Sequence, residues 1–195
     1  MDTVTGYFTA LGLSTAAGLN AYIPLLTVGL LSRSTDLIDL PAPWDRLEDP
    51  LVLGLVAVVG VADFVGDKIP IVDHVLHLLG MAVAPIVGGI LALAAADALE
   101  VDTGFAAVLG VVAALATQVG RTAARPAATA TTGGAGNPVV SLGEDGASGT
   151  LSVTSVVSPV IAAILAVVVL VALIVFWRRW RAFGLRLQGR DPTAG

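Results

Sequence analysis

The stretch ADFVGDKIPIVDHVLHLLG, residues 62–80, gathers Asp63, Asp67, Lys68, Asp73, His74 and His77 inside an otherwise apolar sequence. Asp63 and Asp67 are four apart and share one face of a helix, as do Asp73 and His77. His74 and His77 are three apart. A second set lies downstream, with Arg121 and Arg125 followed by Glu144 and Asp145. These residue types could bind an ion or a small polar solute, hold a divalent metal, or carry protons on imidazoles that titrate near neutrality. They could also simply pair with one another. Oxygen and nitrogen donors at Asp63, Asp67, His74 and His77 would suit zinc, manganese or iron, but their spacing matches no established ligand motif.

Catalysis finds less support. The chain has no Cys, which excludes disulfides, thiolate metal sites and thiol nucleophiles. It has no Gly-x-Ser-x-Gly and no His-Glu-x-x-His. TTGGAGNP, residues 131–138, is Gly-rich but lacks the Lys-Ser/Thr ending of a phosphate-binding loop. We expect a protein that is not an enzyme and needs no cofactor.

The elements that position these groups follow from composition. Of 195 residues, 56% are hydrophobic and 13% charged. The mean hydropathy is +0.90. A soluble domain has about 25% charged residues, so the chain reads as an all-α, polytopic membrane protein whose partner is the lipid bilayer. The net charge of −5, with no basic patch before the C-terminal tail, argues against nucleic acid. The start, MDTVTGYF, lacks the basic region of a signal peptide. Apolar runs over 7–31, 51–66, 72–93, 105–124 and 160–177 are long enough for spans. The polar stretch between the last two could be a span buried among the others or a re-entrant segment. About six spans are expected. The arginines at 178, 179, 181, 186 and 190 place the tail in the cytoplasm. Six spans then put the N-terminus there too.

TAAGLNAYIP, residues 15–24, interrupts the first apolar run with Gly18, Asn20 and Pro24. TQVGRTAARP, residues 117–126, repeats Thr, Gly and Pro at the same spacing, with Gly120 and Pro126. Other segments echo in order: TGYFTALG with TGFAAVLG, FVGDK with SLGED, and VAPIVGGILAL with VSPVIAAILAV. We read an internal duplication: residues 1–98 and 99–180 as three-helix repeats, and 181–195 as a basic tail. Three spans per repeat would insert the second copy upside down, with Pro- and Gly-broken helices meeting near the midplane. Pro70 would open a new helix.

On this plan Asn20, Asp63, Asp67, Lys68, Asp73, Arg121, Glu144 and Asp145 would meet at the repeat axis and bind an ion or small polar solute. The competing accounts are an interfacial loop with internally paired charges, and the metal site above. GLNAYIPLLTVGLLSR, DKIPIVDHVLH and NPVVSLGED resemble the bacterial membrane proteins grouped as domain of unknown function 4126. The resemblance spans about residues 10–173 and is most specific at Asp67-Lys68-Ile69-Pro70 with Asp73. It implies an all-helical inner-membrane protein and supplies no function. A small transporter or channel is the first expectation, and the short chain suggests a homodimer. A non-transporting membrane scaffold or assembly factor is the alternative.

Overall fold

The structure, a computed structural model, describes residues 3–66, 70–133 and 136–187, by backbone alone at 70–78, 127–128, 181 and 183–187. Among the described residues the chain is all helical: α1 (Thr3–Leu19), α2 (Tyr22–Ser34), α3 (Pro50–Gly66), α4 (Pro70–Ala98), α5 (Thr103–Thr132), α6 (Asn137–Val157) and α7 (Pro159–Leu187), with a short 3-10 turn at Trp44–Glu48. Among the described residues three segments are long and apolar enough to cross a membrane: Leu79–Ala98, Thr103–Thr132 and Pro159–Trp180. The expectation of six is thus not met by length and composition. α1, α2 and α3 have 17, 13 and 17 residues, and α6 carries Glu144 and Asp145 among many Gly, Ser and Thr.

The first apolar run is two helices, because Asn20 substitutes its side chain for backbone. Its Oδ1 accepts from the amides of Tyr22 at 2.9 Å and Ile23 at 3.2 Å. These are orphan donors at the start of α2, and satisfying them ends one helix and begins the next. Pro24 is the third residue of α2, within the first turn, where its missing amide costs no helical bond.

α2 doubles back. Its Gly29 lies against the Leu47 carbonyl and Leu53, while its Tyr22 lies against Gly60 further along α3. The loop that follows brings Trp44 within hydrogen-bond reach of Asp97 at the end of α4, where α1 also starts. The chain therefore makes seven passes along the bundle axis. α1 runs beside α5 in the same direction. Tyr7 stacks edge-on to Phe105 with centroids 5.1 Å apart. Gly6 lies against Val101 and Gly18 against Ala114 and Thr117.

This parallel course corrects the expected arrangement. An inverted repeat needs TGYFTALG and TGFAAVLG to run in opposite directions, and they run together. The extra pass made by α2 is the physical reason. It also puts the start of α1 and the Trp180 end of α7 at opposite ends of the bundle, since Trp180 shares a groove with Thr131 and Val140. The second break is absent as well. α5 continues through Gly120 and Pro126. A proline in a helix interior deletes one hydrogen bond but need not end the helix when its neighbours are strong helix formers, here Ala123, Ala124, Ala127 and Ala128.

α1 forms the axis of the core. Leu13, Ala16 and Ala10 are fully buried, and the helix packs on α4, α5, α6 and α7. Small residues let the backbones approach. A Cβ on Gly110 would stand 2.4 Å from the Cβ of Ala92 and 2.6 Å from the Gly88 carbonyl oxygen. Ser14 donates to the Gly88 carbonyl at 2.8 Å. α6 joins this core through its serines. Ser148 reaches the Ala16 carbonyl at 3.0 Å, and Thr9 reaches the Ser155 carbonyl at 3.0 Å. The polar stretch is thus one helix buried along its serine face. α3 stands at the edge, with Leu51, Leu55, Val58 and Val61 exposed. On α3 a Cβ at Gly54 would meet nothing within 4 Å. Gly54→Ala should therefore raise stability in detergent by about 0.5–1 kcal/mol, through helix propensity alone. Denaturant unfolding checks this.

Candidate functional site

The turn between α1 and α2 lies deep in the bundle. Asn20 faces Gln118 and Arg121 across one cavity. Gln118 is 15 residues into the 30-residue α5, halfway along a helix about 45 Å long. Irregular backbone exposes polar groups that need protein or a cavity around them, and here protein and a polar-lined cavity both border the turn. A cavity of about 120 Å³ is lined by polar Asn20, Tyr22, Asp63, Gln118 and Arg121, with Gly80 and several apolar residues completing its wall.

The polar groups come from several elements: Tyr22 from α2, Asp63 from α3, and Gln118 and Arg121 from α5. Asn20 terminates α1, and its Nδ2 donates to Asp145 Oδ1 at 2.8 Å. The Ser148 hydroxyl, one helical turn beyond Asp145, takes up the Ala16 carbonyl and approaches the Asn20 carbonyl at 3.4 Å. The open end of α1 is therefore sealed by α6. Glu144, next in sequence to Asp145, points to α5 instead. Its Oε2 accepts from Arg121 Nε at 2.7 Å and from Arg125 Nη2 at 3.0 Å. Both arginines are 8% exposed. One carboxylate oxygen thus bridges two guanidinium groups one turn apart on α5. Charge-assisted bonds of this kind are short and strong.

The structure brings together five of the expected site residues. Asn20, Asp63 and Arg121 line the cavity; Glu144 and Asp145 stand behind Arg121 and Asn20. Asp67, Lys68, Asp73, His74 and His77 lie outside the described residues or side chains, so the metal reading rests on Asp63 alone here. Among the described residues no group of three metal-ligating side chains exists. Pro70 is the first residue of α4, as expected. Gly18 is a close-contact point on α5, and Gly120 one on Leu173. Sequence reasoning missed Tyr22, Gln118 and Ser148. The serine signal was present: Ser141, Ser148, Ser152 and Ser155 recur at helical spacing, all buried.

Chemically, the cavity offers amide, phenol, carboxylate and guanidinium groups to a small guest. The model of the family described as domain of unknown function DUF4126 matches residues 7–179. No curated protein and no solved structure matches the chain.

Proposed function

The chain belongs to the DUF4126 family, a domain of unknown function, and from its geometry we propose a membrane protein that passes an ion or small polar solute. Three apolar segments of spanning length support residence in a membrane, and so do the exposed apolar faces of α3 and α7. A bacterial inner membrane is the setting that fits the arginine-rich end of α7, on the cytoplasmic side. One observation carries the transport reading: a helix break at mid-depth, with charged and amide groups around a cavity. Broken helices at that depth are where transporters bind their cargo, and buried ionisable groups in a membrane usually serve a pathway.

Flux into proteoliposomes tests the reading. Inorganic cations, inorganic anions and small neutral polar solutes are offered in turn. Arg121→Gln should lower the flux of the conducted solute by about tenfold or more, the worth of one charge-assisted hydrogen bond. Arg178→Gln, on an exposed residue of α7 outside the cavity, should leave it unchanged. No flux for any class, or flux indifferent to Arg121→Gln, would return the chain to the non-transporting scaffold.

A further inference from the structure

A second concavity is unlike the first. Between α5, α6 and α7 lies an open groove of about 580 Å³. Its walls are almost wholly apolar: Leu19, Val140, Val169, Leu173 and Phe176 among them, with Trp180 at one end. Its floor is made of Gly143, Ala147, Ala124 and Ala172. A Cβ built on Gly143 would meet nothing within 4 Å, so the trough exists because those side chains are small.

Its length and its rim say what fits. From Val169 to Trp180 is eleven residues of α7, about 16 Å. That is close to half a hydrocarbon core of about 30 Å. The groove therefore runs the depth of one leaflet, from the level of Leu19 at the hairpin tip to a tryptophan suited to the interface. Arg179 does not line the groove, but it stands three residues after Phe176, which does, and so is that residue's neighbour on the flank of α7. It is exposed, as is Arg178. Glu144, the one acid in the wall, is engaged by Arg121 and Arg125.

We propose that this groove holds one acyl chain of an anionic phospholipid, whose headgroup phosphate binds Arg179. The inference rests on α7 spanning the membrane, but not on transport. The charge of Arg179 selects an anionic lipid over a zwitterionic one, and the small-residue floor admits the chain.

The test uses the full chain purified in non-ionic detergent, mixed with equimolar phosphatidylglycerol and phosphatidylcholine and weighed by native mass spectrometry. The wild type should retain one phosphatidylglycerol in preference to phosphatidylcholine by about fivefold, the worth of one arginine near an anionic surface. Arg179→Gln should abolish that preference. Gly143→Leu should prevent retention of either lipid. It also replaces a helix-interior glycine by a better helix former, so the fold is not put at risk. Equal retention of the two lipids by the wild type would overturn the proposal. So would a Gly143→Leu protein that keeps its lipid, or a lipid-free dimer that Gly143→Leu dissociates, which would make the occupant a second copy. Recovery of the chain from the soluble fraction would overturn the membrane reading with it; loss of flux with lipid selectivity intact would leave this inference standing.

Discussion

Glu144→Leu is expected to destabilise the folded protein by about 3–5 kcal/mol. Arg121 and Arg125 are both buried, and both donate to the same Glu144 oxygen, at 2.7 Å and 3.0 Å. Removing the carboxylate takes from two buried guanidinium groups, one turn apart on α5, the oxygen to which both donate. Leucine fits the space and adds apolar surface to the groove wall that Glu144 helps to line. That gain cannot offset the loss of a partner shared by two buried cations. Glu144→Gln separates the parts of the effect. An amide oxygen still accepts a hydrogen bond, but its charge is gone, so the cost should fall between that of the leucine variant and the wild type. Denaturant unfolding in detergent, followed by circular dichroism, measures both. A leucine variant as stable as the wild type would mean that the arginines are satisfied without Glu144, and the ion bridge would lose its place at the centre of the site.

The helical class and the first break were legible because they depend on local chemistry. Asn20 can accept from the amides two and three residues on, and Pro24 sits well in a first turn. Pro70 and Pro159 open helices for the same reason. The pairing of Arg121 and Arg125 with an acid was among the readings open from sequence. What was not legible is direction. A break states that a helix ends, not whether the chain goes on or doubles back. That choice at Asn20 is made by contacts far away in sequence, Gly29 on Leu47 and Trp44 on Asp97. Reading the break as a kink rather than a reversal lost one pass of the chain. That single miss inverted the expected relation of the two halves. The polar stretch 137–157 was ambiguous for a related reason. Serine looks unfit for a buried helix until its hydroxyl is matched with a carbonyl, as Ser148 is with Ala16. The partner lies 132 residues away.

The recurrence of Gly18 and Gly120 offers a sharp comparison, because the structure gives them unequal surroundings. Gly18→Ala is expected to cost about 2–3 kcal/mol, and Gly120→Ala no more than about 1 kcal/mol. A Cβ at Gly18 would stand 2.5 Å from the Ala114 carbonyl oxygen and 2.5 Å from the Thr117 Cβ. The first is backbone, and it belongs to a helix packed along α4. α1 cannot retreat either, since α4, α6 and α7 surround it. Overpacking at such a point separates two backbones, and the helix-propensity gain of alanine over glycine, about 1 kcal/mol, is smaller than that cost. At Gly120 the nearest atoms all belong to Leu173, the closest at 2.9 Å. Leu173 is a ridge between two open grooves on α7, so it has room to move aside. There the propensity gain nearly balances the contact. Thermal unfolding of the two single variants and the double decides the matter. Equal losses at the two glycines would restore them as equivalent positions of a repeat. A large loss at Gly18 alone would show that the shared motif serves close packing of α1 on α5 in one copy and only a slack contact in the other.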